Sequence, residues 1–491
     1  MKAIQTKTFW WILIAIFVLK LALAASVPLT ADESLHWMQG RHPAWGYGDH
    51  PPGTAFLNAA GVRLFGHTVV GVRFFAVLSS VLVSVLARAL LLELGVAAGL
   101  AATGGLVLQL IPIFGLGCLL MTPFAPFASL VFAMILFFYR FYRRQRLLDA
   151  VLWGLFLGLS VLTYYVTVTA VVAIAVSCFL ARDVRSLLSR PAFWLGAALA
   201  AAVVAPHLFW CFRQGTESAL HFQVAGRAKP EFDIENVLAY IGATIGAGGP
   251  LLFPAVAAAG RTLRGAWEAP GDLRRLFAAC LVLAPLAFVL LMSFVRPAGA
   301  HWALVAFLGA GPLLAMTSLE PHGRIRGWVR AAGGFLLVLV ALGLVILAVG
   351  PPRVVALIDP EFDRMSVTAR YRAFRLDELA ARAQAWKEKL EAAGGDITMA
   401  THGWSIAGLT SFAMPSHPMF LVVPGPTRHG QDYNRWTRRM DVADRVLYLY
   451  QGTDPPEQYR RYFKQWVLLE GPEDPGGFSL YLCRGLEPEA P

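Results

Sequence analysis

Residues 31–54 read ADESLHWMQGRHPAWGYGDHPPGT, directly after the first apolar run of a very apolar chain. The segment gathers three carboxylates (Asp32, Glu33, Asp49), three histidines (His36, His42, His50) and two tryptophans around a Gly/Pro-rich bend. Two local readings compete for it. In the first it is helix punctuation: Thr30 is an N-cap with Glu33 at N3, a capping box whose acids suit the positive helix end. Asp49-His50-Pro51 then caps a second helix starting at PPGTAFLNAAGVRLF, with proline in its first turn. In the second it is chemistry. Asp32 and His36 lie one helical turn apart and share a face with Gln39 or Gly40. A later stretch, RQGTESALHFQVAGRAKPEFDIEN (213–236), adds Glu217, His221 and Arg227 at the same membrane surface. Acid, imidazole and guanidinium groups at one water–lipid boundary suit reactions at a lipid phosphate.

The rest of the chain says why a membrane boundary is at issue. Of its 491 residues 57% are hydrophobic and 15% charged, with mean hydropathy +0.57. A soluble domain carries roughly 25% charge. Net charge is +11 and the pI is near 9.6, yet the basic residues sit in short loops between apolar runs, which is a topology signal and not a nucleic-acid patch. The five cysteines show no CxxC or metal-type spacing, so no disulfide framework is expected.

A bilayer core of ~30 Å needs about 20 apolar residues per helix. Eleven runs meet that pattern, at 9–27, 69–93, 95–119, 124–140, 149–162, 164–181, 192–212, 237–259, 276–295, 302–319 and 331–350. The first has a positive start like a signal peptide but is long enough to span, so it is read as a retained helix. The arginine-rich loops 139–146, 182–190, 261–275 and 323–330 fall on one side, and the longer or acidic loops on the other. This predicts a multi-pass protein of the plasma (bacterial inner) membrane, with its N-terminus cytoplasmic and its C-terminus outside.

The predicted organisation is a polytopic all-α membrane domain over 1–350 with outer loops 28–68 and 213–236, then a small extracytoplasmic α/β domain over 351–491. The latter rests on a helix pattern at 376–395 and on five β-type runs: ITMATH, MFLVVP, RVLYLY, WVLLEG and FSLYLC.

Several motifs in these segments are similar to those of one family. Asp32-Glu33, Gly46-Tyr47, His50-Pro51-Pro52, Phe65-Gly66 and Arg73 resemble the first-loop signature of bacterial GT-C glycosyltransferases, the protein mannosyltransferase-like enzymes that include the 4-amino-4-deoxy-L-arabinose lipid A transferases. PHLFWCFRQGTESALHFQ is similar to the family's fourth outer loop, and residues 401–436 resemble its outer C-terminal domain. The resemblance implies a polyprenyl-phosphate-sugar donor and an acceptor hydroxyl on lipid A, core saccharide or another glycan. It implies Asp32 as the base, Glu33 as its support or as a cap, and donor-phosphate contacts from Arg227, His50 and Arg73. It also implies a divalent metal at Asp49 and His221, and no organic cofactor. Arg73 has a plain alternative as a helix-end anchor.

Two positions depart from the family pattern. Phe124 stands where an aspartate is frequent, in MTPFAPF, and Tyr164 stands where a lysine is frequent, in VLTYYV. Either the substrates differ, or Arg296 and His301 of VRPAGAHW substitute, or the chain is an inactive relative.

Lys20, near the outer end of the first run, is read as snorkelling to the interface, where it escapes a burial cost of ~2.5–3.5 kcal/mol. Tyr164, Tyr165 and Trp302 are read as interfacial aromatics, and His207 as a buried polar group with a partner. Two other functions stay open. A transporter or flippase for lipid-linked sugars calls for matching halves with broken helices, which the sequence lacks. A non-catalytic scaffold would use the outer domain to bind a partner.

Overall fold

The computed structural model describes residues 4–181, 184–215, 232–268, 273–317, 324–349, 376–423, 431–438, 440–472 and 477–487. The chain forms two compact units. One holds most of the apolar helices; the other gathers Val27–Asp49 with the chain from Ala341 onward.

The first unit opens with helix α1 (Thr6–Ser26), a 21-residue apolar run. Helix α2 (Ala31–Arg41) belongs to the second unit. The chain re-enters the first unit at His50 and forms α3 (Gly53–Phe65) and α4 (Val69–Glu93). Gly66, at φ 73°, ends α3, and the Thr68 side chain starts α4 by accepting from the Gly71 N–H at 3.0 Å.

Every predicted apolar run is helical over its described residues, though not all of these helices are long enough to be counted as spans. Among the described residues eight helices are long and apolar enough to cross a membrane, and nine if one bent pair is a single span. That pair, Ala98–Leu110 and Pro112–Leu119, bends by 82° at Pro112, which has no N–H to continue the first helix. The helices Leu147–Thr163 and Thr167–Leu180, of 17 and 14 residues, are short for a bilayer.

Lys20 also departs from expectation. It is buried, and Nζ donates to Ser80 Oγ (3.2 Å), Gln109 Oε1 (2.7 Å) and the Phe114 carbonyl (2.5 Å). Three protons meet three acceptors, so the ammonium is satisfied inside the protein and has no need to reach the interface. His207 is buried against the Tyr165 hydroxyl (2.6 Å from Nε2) and Cys211 Sγ (3.6 Å).

In the second unit the five β-type runs are all strands: β1 (Ile397–Thr401), β2 (Phe420–Val422), β3 (Arg445–Gln451), β4 (Phe463–Glu470) and β5 (Phe478–Leu486). Their order is β2-β1-β3-β5-β4, parallel among β2, β1 and β3 and antiparallel through β5 to β4. Interior strand β1 is buried at every residue, as a parallel strand covered on both faces should be, while edge strand β4 is exposed or half-buried after Phe463. One face packs Leu421, Val446, Tyr448, Phe463 and Cys483 into a core. The helices Leu376–Ala392 and Trp404–Ala413 pack on each other, and α2 packs on the latter. Gly408 makes that approach possible, because a β-carbon there would press into Ser34 Oγ.

Candidate functional site

The capping box at the start of α2 is present as the sequence predicts. Thr30 N donates to Glu33 Oε2 at 3.0 Å, the Thr30 hydroxyl lies 3.1 Å from the same oxygen, and Glu33 N donates to Thr30 Oγ1 at 3.4 Å. Glu33 is buried in this role. Asp32, the next-door carboxylate, is exposed, and among the described residues it makes no hydrogen bond or ion pair. The paired acids therefore divide: one closes the helix and the other faces water.

This division predicts the behaviour of Glu33. Glutamine also satisfies a capping box, so Glu33→Gln is expected to leave turnover within about twofold, whereas Thr30→Ala costs ~1 kcal/mol of local stability. Kinetics and thermal melts of the two variants check this. A collapse of turnover in Glu33→Gln with an unchanged melt would give Glu33 a chemical role.

Asp49 is 2% exposed and sits in a network that sequence reasoning missed. Gln39 Nε2 donates both to Asp49 Oδ1 (3.2 Å) and to Asp432 Oδ2 (3.3 Å). Gln39 Oε1 lies 2.8 Å from His36 Nδ1, which must then carry the proton. Asp432, on the helix Gln431–Thr437, is also 2% exposed; it accepts from the Gly48 N–H (3.1 and 3.3 Å) and pairs with Arg435 (3.0 Å). Burial raises the Asp432 carboxyl pKa from 3.8 to about 7, and the nearby Asp49 charge adds to the rise. Arg435, the Gly48 N–H and Gln39 act against it.

The bend between Asp32 and Asp49 folds on Tyr47, whose buried hydroxyl donates to the Gln39 carbonyl at 2.8 Å and accepts from the Ala44 N–H at 3.2 Å. Burial pushes its phenol pKa upward. His42 stacks on Trp436 at 4.8 Å, and burial, with the Arg41 charge, lowers its pKa. The Arg41 guanidinium lies over Trp37 at 4.9 Å, and Trp37 meets Phe412 and His417 edge-on. The segment Val27–Asp49 is thus built as part of the α/β unit.

The remaining predicted residues lie elsewhere. His50 belongs to the first unit, with its ring edge-on to Tyr164 at 6.5 Å. Arg73 is fully buried and donates to the Ala24 carbonyl at 2.6 Å, which ties down the last turn of α1. Both family departures meet one of the proposed substitutes: His301 stacks on Tyr164 at 6.0 Å and lies 5.7 Å from Phe124. Tyr164 is thus a buried packing partner at the end of the helix Leu147–Thr163. Glu217, His221 and Arg227 lie outside the described residues.

Asp49 offers the hard oxygen that a divalent cation prefers, and the second carboxylate beside it adds attraction for positive charge. No group of three His, Cys, Asp or Glu side chains among the described residues is arranged to hold a metal. Of the two expected ligands, Asp49 is among the described residues and His221 is not.

Comparison with known proteins adds the fold. Residues 49–210 match the family model for dolichyl-phosphate-mannose-protein mannosyltransferase. No curated protein matches the chain by sequence. The apo structure of ArnT from Cupriavidus metallidurans superposes with a TM-score of 0.66 at 15% identity, covering 97% of this chain and 98% of that one. The same protein bound to undecaprenyl phosphate gives 0.60 at 14% identity over the same shares. At such identities the likeness is one of architecture, and the chain has the GT-C glycosyltransferase fold.

Proposed function

We propose that this chain is a membrane glycosyltransferase moving a sugar from a polyprenyl-phosphate-linked donor to an acceptor hydroxyl on the outer face of the bacterial inner membrane. The observation that carries this reading is the division of the Asp32-Glu33 pair. Glu33 is spent on the cap, while Asp32 stands exposed beside it with no partner among the described residues. A carboxylate held at a helix start yet free of the cap is suited to act as a general base. The ArnT fold, seen in that protein with undecaprenyl phosphate bound, supports a lipid carrier of the same class here.

In the proposed reaction Asp32 takes the proton of the acceptor hydroxyl. The acceptor oxygen bonds to the anomeric carbon as the bond from that carbon to the phosphate oxygen breaks. The leaving polyprenyl phosphate keeps the electron pair. Arg227, His50 and Arg73 are the proposed contacts for its charge, with His301 and Arg296 standing in for the family's missing cation. Arg73 already anchors α1, so its phosphate contact would be a second duty. A divalent ion held by Asp49 and His221 would, when bound, neutralise phosphate oxygens.

The acceptor is proposed to be lipid A, core saccharide or another surface glycan. Mass spectrometry of surface glycolipids with and without the protein tests this. A glycan mass that gains one sugar only when the protein is present supports the reading, and identical profiles oppose it.

A further inference from the structure

Helix α3 buries one stripe: Thr54, Ala55, Asn58 and Gly61, at spacing i, i+1, i+4, i+7. Its two ends are pinned. A β-carbon on Gly53 would strike the Leu162–Thr163 backbone, and one on Gly61 would strike the Gly71 carbonyl at the start of α4. Between those contacts the stripe carries two polar side chains in the middle of an apolar unit. Asn58 is 0% exposed, and neither its amide nitrogen nor its amide oxygen has a hydrogen-bond partner. One turn earlier, the fully buried Thr54 hydroxyl is also without one, as is Ser160 on the helix that Gly53 abuts.

A buried amide with both ends unmatched is costly, and it persists in native proteins when something else supplies the bonds. The chemistry of the amide narrows what that is. It presents a donor and an acceptor together, and Thr54 adds another of each. A phosphate oxygen only accepts and would leave the Asn58 oxygen unmatched. A cationic group only donates and would leave the nitrogen unmatched. A neutral hydroxyl does both.

We infer that Asn58 and Thr54 form a recognition site for the hydroxyls of the sugar on the lipid carrier, so that α3 reads the sugar and not the phosphate. This rests on the glycosyltransferase reading above and extends it from reaction class to substrate selection. Asn58 is a binding residue here and takes no part in moving the proton.

The test compares the purified full-length chain with Asn58→Leu and Thr54→Val, binding undecaprenyl phosphate, undecaprenyl-phosphate mannose and undecaprenyl-phosphate 4-amino-4-deoxyarabinose. The wild type is expected to prefer a sugar-bearing carrier to the bare one by about tenfold. Asn58→Leu should erase that preference, with bare-carrier affinity unchanged and a melting temperature equal to or above the wild type's. Thr54→Val should reduce it partly. If the wild type treats all three lipids alike, or if Asn58→Leu keeps the preference, the site is refuted. A lowered melt with the preference intact would mean the amide holds only a structural water, which also refutes it. Binding of none of the three lipids would defeat the donor reading itself, a result distinct from any of these.

Discussion

Asp32→Asn is expected to lower turnover by about 10²- to 10⁴-fold, the usual contribution of a positioned general base, while leaving affinity for the lipid carrier unchanged. The expectation follows from the helix start. Thr30 and Glu33 satisfy each other through hydrogen bonds that do not involve Asp32. An amide at the second helical position keeps the shape of the side chain and loses only its charge and basicity. The helix should form, and the bound donor should wait for a proton acceptor that is no longer there. Single-turnover kinetics beside an equilibrium binding measurement separate the two quantities. Equal turnover in the variant would remove Asp32 from the chemistry and favour a scaffold. A parallel loss of lipid binding would make it a binding residue.

The second large effect is expected at Asp432. Asp432→Ala leaves the buried Gly48 N–H and Gln39 amide each short of an acceptor and removes one carboxylate partner of the half-buried Arg435. Each buried group stranded in this way costs ~1–3 kcal/mol, so the α/β unit should melt several degrees lower. The loop carrying Asp49 should loosen with it.

Asp432 also gives a signed pH dependence. Its carboxyl rises from 3.8 to about 7 on folding. Between those values the folded protein holds more protons than the unfolded chain, so stability falls as pH rises through the window and levels off above it. Buried His402, lowered to about 4 from 6.5 chiefly by burial, acts in the opposite sense. It is charged in the unfolded chain and neutral in the fold, so its contribution grows as pH rises from 4 to 6.5. The difference between wild type and Asp432→Asn isolates the aspartate. Melts at about pH 5 and about pH 8 should show the variant gaining on the wild type at the higher value. A pH-independent difference would contradict the raised carboxyl.

Local chemistry was the legible part of this molecule. The Thr30–Glu33 box, the apolar runs and the five strands depend on residues within a few positions of one another, and each was recovered at close to its predicted bounds. What stayed hidden was carried by distance along the chain. Asp432 meets Gly48 across 384 residues, and nothing in QDYNRW distinguishes a solvated helix-start aspartate from a buried one. Lys20 was misjudged for the same reason: its acceptors lie 60, 89 and 94 residues away. Its place near a span's outer end argued for the interface. The spans are where the hydropathy pattern is least informative, since it counts apolar residues and is blind both to the 82° bend at Pro112 and to the shortness of the helices Leu147–Thr163 and Thr167–Leu180. The orphaned Asn58 was invisible too, because an asparagine in a helical run reads as ordinary until its burial and missing partners are seen.

A reconstituted assay puts the central claim to its most direct test: purified protein in vesicles, a polyprenyl-phosphate sugar labelled in the sugar ring, and a glycolipid acceptor. The account predicts one bare polyprenyl phosphate released for each labelled acceptor formed, with the sugar's anomeric configuration inverted by the single displacement. Label that crosses the bilayer still joined to its carrier, or that never leaves it, would contradict the account.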